Sequence, residues 1–343
     1  MEAKPRNFLE RGWWSFTLWW RYGSSPALAE STLGDFRRRR TALQAAVPFA
    51  SLAPALRAAG LARHAATTAE QHLATCDVST AFQREIFNPW VRARYAQNLG
   101  AISAFGALVA ADNADALVVV SGGLAALWQR MAHASRASIR LRTDVLALSR
   151  GSWGGWYVSS GPSSSFPSSS PFRNERVERF DAVVLAAPWA LTGAALRTNL
   201  TAAVAQAQAQ AGAPVHTADV AYADQHITLF TTPDKLSAHQ FHGEENIPGL
   251  VLTTPCSWEY DTVSGLTGQP GLGHAPFWVL TRLGELVVDG RRQFLYKVVS
   301  PSEMPDDAVH RLVTGNGNAS SIYRYHVPSP PLLLCNGIDG TNT

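Results

Sequence analysis

Cys76, Cys256 and Cys335 lie too far apart in the chain for a CxxC pair or a cysteine-based metal spacing, so each reads as an isolated thiol. The ten histidines show no ligand spacing either, and no metal site is expected. No arrangement of a nucleophilic triad is visible. What remains are small-residue turns and one polar, aromatic stretch. Ser121-Gly122-Gly123 stands between an apolar run and a helical pattern. A Gly-Gly turn there lets backbone approach a ligand, and the helix start favours anionic groups. The apolar run Arg179–Pro188 ends in Ala186-Ala187-Pro188, small residues where a bulky cofactor can pass. Tyr95-Ala96-Gln97-Asn98 sets a ring beside two amides. Singly, each reads as an ordinary turn, cap or packing residue. The order in which they occur carries more weight.

The elements that must position these residues follow from periodicity. Residues 6–75 read as helical, with Leu9, Trp13, Phe16 and Trp20 on one face and a stop at Tyr22–Pro26. A second helix spans Glu30–Ala46 and carries Arg37–Arg40, a run that reads as a solvated helix face before it reads as a phosphate site. Shorter helices follow at Ser51–Gly60 and Thr67–Ala74. Ser79 caps another that reaches Tyr95 with a kink at Pro89. Near residue 115 the texture changes. Ala116–Val120 reads as a strand, and Leu124–Ser135 as a helix with Leu124, Leu127, Trp128 and Met131 on its apolar face. Ile139–Leu148 and Trp153–Ser159 form a strand pair, Ser159–Pro171 a loop, and Arg179–Pro188 a buried strand. Thr201–Ala211 is helical. His216–Thr232, Leu250–Thr254, Trp278–Leu283 and Phe294–Val299 are strands, and Ser302–Val313 is a short helix. Strand, Gly-Gly turn, helix, strand pair and Ala-Ala-Pro, in that order, fit the middle of a two-domain flavoprotein.

Composition agrees with a folded catalytic or binding protein. The 343 residues are 46% hydrophobic and 16% charged, which excludes intrinsic disorder. Lys+Arg 29 against Asp+Glu 26 leaves a net +3, too balanced for a nucleic-acid binder. The first residues lack the apolar run of a signal peptide, so the chain as it stands reads as soluble. Asp112 and Asp115 interrupt the longest apolar stretch, so no transmembrane segment is expected.

Longer motifs resemble the prenylcysteine oxidase (prenylcysteine lyase) family. They are Leu18–Gly23, the Ser79–Gly100 segment with Glu85, Ile86, Arg92, Arg94 and Tyr95–Gly100, His226–Thr232 with Leu250–Thr254, Tyr296–Pro301, and Asn336-Gly337-Ile338-Asp339-Gly340. The resemblance covers nearly the whole chain. It implies an α/β (mixed α+β) fold, a two-domain FAD-dependent oxidase of the amine-oxidase-like type. Residues 1–115 would be the helical part of the substrate domain and 116–190 part of the FAD domain. Residues 191–320 would be a substrate domain, mainly antiparallel sheet with helices, and 321–343 a return to the FAD domain, truncated where the family continues into a helix beside the flavin. It assigns Gly122, Gly123, Val145, Ala187, Pro188, Asn336 and Gly337 to the FAD side, and Tyr95, Gln97 and Asn98 to the substrate side. No catalytic residue is assigned, and His226 reads as a structural histidine.

The implied partners are oxygen and farnesyl- or geranylgeranyl-cysteine, with no nucleic acid. The implied products are a prenyl aldehyde, free cysteine and hydrogen peroxide. An apolar tunnel for the tail is expected, which the Trp-rich helices could line. The implied compartment is lysosomal, vacuolar or secretory, and Asn199-Leu200-Thr201 and Asn318-Ala319-Ser320 are glycosylation acceptors in form. Two departures bear on the cofactor. The family opens on a strand and a GxGxxG turn, and nothing here matches it. The amide that usually follows the Gly-Gly turn is Leu124. The chain thus reads as an incomplete gene model or a degenerate copy. A lipid- or partner-binding paralogue without activity, or another flavin enzyme of the amine-oxidase type, are the alternatives. The expectation is that residues 1–343 hold FAD weakly or not at all. The visible spectrum of the purified, desalted protein checks it, and stoichiometric flavin absorbance would contradict it.

Overall fold

The computed structural model describes residues 16–48, 52–112, 120–151, 154–163, 175–184, 186, 223–241, 247–313 and 319–329. The chain divides into two compact units. One joins Met1–Leu117 to Tyr222–Thr343, and the other is Val118–Ala221. Both combine helices with antiparallel sheet, a mixed α/β architecture.

The larger unit begins with helices. After α1 (16–22), Pro26 stands in the first turn of α2 (Ser25–Ala45), where its missing N–H costs nothing. Arg37–Arg40 on α2 form a solvated, ion-paired face, with Arg38 74% exposed at its side chain. Arg37 and Arg40 both pair with the buried Asp112, and Arg38 and Arg39 pair with Asp35. Then come α3 (Leu52–Ala58), α4 (Ala62–Ala66) and α5 (Ala69–Thr75). Thr68 and Gln71 close a capping box at the start of α5. Ser79 caps α6 (Thr80–Phe82) as its residue type predicts. The expected kink appears as a wide turn, Gln83–Phe87, in which the Asn88 N–H reaches back five residues to the Gln83 carbonyl. Pro89 has no N–H to continue the normal ladder, which accounts for the local widening. α7 (Asn88–Tyr95) ends at Ala96, whose φ of 52° is left-handed, and α8 is Ala104–Asp112. Phe36, Leu61, Leu73, Val91, Leu99, Ile102 and Leu108 fill the helical core. Each such side chain contributes roughly 1.5–3 kcal/mol on burial.

The sheet of this unit contains β4 (Ala223–Thr232), β5 (Leu250–Leu252), β6 (Val279–Val288), β7 (Arg291–Ser300) and β8 (Ser320–Ser329), in the order β5-β6-β7-β4-β8. β6 and β7 meet at Asp289-Gly290, both at positive φ. This two-residue turn suits the twist of a hairpin and lets the strands run beyond the expected 278–283 and 294–299. By register, Thr228 and Phe230, Leu280, Tyr296, Val298 and Ser300 share one face, and all are buried. Phe230, Leu280, Tyr296 and Val298 pack against Met304, Val309, Leu312 and Val313 around the helix Asp306–Arg311. Strand β8 pairs with β4 along its length, so the segment that the sequence reading begins at 321 starts inside this sheet.

The smaller unit holds a helix, α9 (Gly123–Ala134), and a sheet of β1 (Thr143–Arg150), β2 (Trp156–Pro162) and β3 (Arg176–Phe180), joined in antiparallel order. Leu124, Leu127, Trp128 and Met131 share a face of α9 and are exposed among the described residues. The strand expected over Arg179–Pro188 is a correction. The ladder ends at Phe180, and Val184 is 88% exposed. β3 is an edge strand marked by charge, with Glu178 paired to Arg140 and Arg176. Among the described residues, Asp181–Val184 find no partner strand to pair their backbone with. The parts of the expected elements at Ala116–Val119, Ala187–Pro188 and Thr201–Ala211 lie outside the described residues.

The helical core carries a pH dependence. His64 (α4) and His72 (α5) pack with ring centroids 4.4 Å apart and planes tilted by 48°, both buried, and neither Nδ1 has a hydrogen bond among the described residues. Burial, reinforced by His72 and Arg39 and opposed by Asp35, pushes His64 down to about 4. Burial and Arg63 lower His72. The fold therefore favours neutral rings. Their contribution is whole above the ordinary value of 6.5 and is lost as pH falls from there through about 4. We expect on the order of 2 kcal/mol less stability at pH 5 than at pH 7 from His64. Urea midpoints across that range should fall in the wild type and flatten in His64→Leu.

Candidate functional site

The polar, aromatic stretch after α7 is built into the larger unit as a buried knot. Arg92 on α7 and Asn98 are wholly buried. The Arg92 guanidinium donates through one Nη to Asn98 Oδ1 (2.9 Å) and the Gly271 carbonyl (3.4 Å), and through the other to the Leu272 carbonyl (3.0 Å) and Thr253 Oγ1 (3.3 Å). It lies 4.4 Å from the Trp278 ring centre. Asn98 Nδ2 donates to the carbonyls of Gly271 (2.7 Å) and Val263 (3.0 Å). Asn88 takes the Leu99 N–H on its Oδ1 and donates to Asn98 and Thr254. Among the described residues no carboxylate faces Arg92 directly. Burial brings it down to about 9, with Tyr260 and Glu259 acting in the opposite direction, and it remains a cation at neutral pH.

Thr253 and Thr254 link this knot to a cavity of about 650 Å³. Its apolar wall includes Ile86, Pro89, Trp90, Phe241, Leu252 and Phe277. Its polar side chains are Glu85, Gln240, Thr253, Thr254, Cys256 and His274. Volume and lining suit one lipophilic ligand with a small polar end. The wide turn before Pro89 supplies Glu85 and Ile86, so the kink shapes the wall. Glu85 is held by Arg21 (2.9 Å) and the Tyr22 hydroxyl (2.8 Å). Burial and the Glu85 carboxylate push Tyr22 up to about 12, which keeps it a donor. At the rim, Glu259 accepts the N–H groups of Cys256 (2.9 Å) and His274 (3.0 Å), and its other oxygen meets His274 Nδ1. Burial raises Glu259, but the imidazole and these N–H donors outweigh it and leave the carboxyl below its usual range.

The assigned residues fall in different places. Tyr95, Gln97 and Asn98 are not among the cavity-lining residues. Tyr95 packs half-buried on the helical core, Gln97 bridges to Thr267 through its backbone, and Asn98 belongs to the knot. Gly122 and Gly123 open α9 with φ of 82° and 79°. A Cβ on Gly123 would meet nothing within 4 Å, and one on Gly122 only Ala126 at 3.5 Å. The surface of the turn is open to an approaching planar group, and in that respect it fits a flavin, while the Gly123 N–H is donated to the Val120 carbonyl (2.9 Å). Val145 is exposed on β1 beside a bulge. Ala187, Pro188, Asn336 and Gly337, like Asn199 and Asn318, lie outside the described residues. His226 lies across from His326 on β8, ring centroids 4.9 Å apart, and His326 bonds Asp224. Of the tryptophans, Trp90 lines the cavity, whereas Trp19 and Trp20 are exposed.

The Glu259–His274 pair and the cavity have no local motif. The readable hints were the Thr253-Thr254 pair and Gly273 before His274. Among the described residues no group of three or more potential ligands could hold a metal, and no helix is long and apolar enough to cross a membrane.

A helical layer, an antiparallel sheet with a partly open lipophilic cavity, and a separate unit with an open Gly-Gly turn define a mixed α/β protein of the flavin-oxidase type. The prenylcysteine lyase family model matches residues 10–328, and the chain belongs to that family. The family is one of prenylcysteine-cleaving oxidases. No curated protein matches the chain.

The knot predicts a structural phenotype. Asn98→Ala removes hydrogen bonds to Arg92, Asn88 and the carbonyls of Gly271 and Val263, leaving that Arg92 Nη with only its long bond to Gly271, and we expect a loss of about 3 kcal/mol or more in urea unfolding. Tyr95→Phe should change stability by less than about 0.5 kcal/mol.

Proposed function

We propose that this protein oxidises S-prenylcysteine at its thioether with FAD, passes the electrons to oxygen, and releases a prenyl aldehyde, free cysteine and hydrogen peroxide. The cavity of about 650 Å³, in a chain of the prenylcysteine lyase family, is the observation that carries this reading. Burying a farnesyl tail at roughly 0.8 kcal/mol per methylene makes on the order of 10 kcal/mol available, enough to order its rotatable bonds and still bind. Trp90, Phe241, Leu252 and Phe277 take the tail and exclude water. Glu85, Cys256 and His274 are left for the cysteine end.

The bound flavin supplies the two-electron oxidation. Gly122, Gly123 and Val145 are the described residues that we place beside it, with Ala187, Pro188, Asn336 and Gly337 as further contacts. Asn98, rather than touching substrate, holds the cavity wall through Arg92 and Thr253. The compartment we assign is lysosomal, vacuolar or secretory.

Protein supplemented with FAD and S-farnesylcysteine should consume oxygen and yield peroxide and cysteine in equal amounts. Ala275→Trp, which fills the cavity, should weaken binding of S-farnesylcysteine at least about tenfold by calorimetry. Tail binding without oxygen consumption in FAD-loaded protein would make the chain a lipid-binding member of the family. Absence of binding would remove the cavity from the reading.

A further inference from the structure

His274 is held as a proton-transfer residue is held. Glu259, only 11% exposed at its side chain, gives both carboxylate oxygens to this task. One accepts the backbone N–H groups of Cys256 and His274, and the other faces His274 Nδ1. An ionised carboxylate can only accept, so Nδ1 carries the proton and Nε2 is left as the basic nitrogen. The backbone is shaped around the pair. Gly273 has φ 69°, and a Cβ there would fall 2.1 Å from a Glu259 oxygen. The imidazole itself is 75% exposed, stands edge-on to Trp258, and lines the apolar cavity together with Cys256. A carboxylate buried for no purpose but a surface histidine would be a poor use of three donors. At the rim of a lipophilic cavity, the same arrangement fixes the orientation and tautomer of a general base.

We propose that His274 is the acid–base residue that breaks down the hemithioacetal of a prenyl aldehyde and a thiol, with Glu259 as its positioning residue. The assignment rests on the prenylthioether reading above. His274 Nε2 takes the hemithioacetal hydroxyl proton. The oxygen lone pair closes to the carbonyl as the carbon–sulfur bond breaks. Sulfur leaves with that bond's electron pair and receives the proton back from Nε2. Nothing is oxidised or reduced, so the step needs no co-reactant and runs in both directions.

That reversibility gives a test independent of any cofactor. Farnesal and N-acetylcysteine are mixed with the full chain, and hemithioacetal formation is followed by stopped flow as loss of the enal absorbance. The wild type should speed the approach to equilibrium, and His274→Gln should lower the protein-dependent rate by roughly 100-fold. Glu259→Gln should fall between them. In ¹⁵N spectra, His274 should be protonated at Nδ1 in the wild type and should gain the other tautomer in Glu259→Gln, a change that a merely structural carboxylate would not couple to rate. Both variants should lose far less in affinity for S-farnesylcysteine than in rate, since most of the lost interaction belongs to the transition state. A wild type no faster than buffer, or a His274→Gln variant as fast as wild type, overturns the proposal while tail binding leaves the prenylthioether reading intact. Failure of S-farnesylcysteine to bind the wild type defeats that reading and this proposal together.

Discussion

The Arg92 guanidinium, charged and wholly buried with no carboxylate directly against it among the described residues, is the constraint from which much of the larger unit follows. A buried cation without an opposite charge must be surrounded by acceptors and a polarisable face. Here these are the Asn98 amide, the carbonyls of Gly271 and Leu272, the Thr253 hydroxyl and the Trp278 ring. They come from three separate stretches of chain. The helical layer is therefore tied to the 253–278 loops by direction-dependent bonds and not by apolar contact alone. Each acceptor is in turn placed by something else: Asn98 by Asn88 and the Val263 carbonyl, and Thr253 by donating to Phe277 O.

The cavity inherits its shape from this arrangement. Thr253 and Thr254 look both ways, bonding Arg92 and Asn88 on one side and lining the cavity on the other. Pro89 widens the turn ahead of α7, which brings Glu85 and Ile86 into the wall. The rim is ordered separately, by Arg21 and Tyr22 on Glu85 and by Glu259 on His274. An apolar interior with a polar, prearranged rim orients an amphipathic substrate by solvation alone. The tail gains by entering, and the zwitterionic end loses by following it.

The smaller unit is organised by different physics. Its three-stranded sheet buries little, Leu148 being its one core residue among those described, with Trp156, Val158 and Val183 packed against it. The apolar stripe of α9 stands exposed among the described residues. The feature with chemical content is the paired positive φ at Gly122 and Gly123, which leaves a turn surface without side chains at a helix start, the Gly123 N–H itself being donated to the Val120 carbonyl.

Much of the local structure was legible in the residues. The Thr68 and Ser79 caps, the break at Pro89, and four of the five described strands of the larger sheet follow from hydrogen-bonding side chains, a missing N–H and period-two apolar patterns, whereas the resemblance assigns β8 to another domain. These interactions span a few residues and are encoded where they act. The Arg179–Pro188 run shows the limit, because its apolar residues specify burial but not a partner strand. The same holds for Tyr95, Gln97 and Asn98. Their types marked a special place, yet whether an amide meets a ligand or a guanidinium depends on residues more than 150 positions away. The cavity and the Glu259–His274 pair were decided only in the tertiary structure. A cavity is the space left between elements, and a carboxylate–imidazole pair formed across fifteen residues of loop depends on a backbone path that no local pattern encodes.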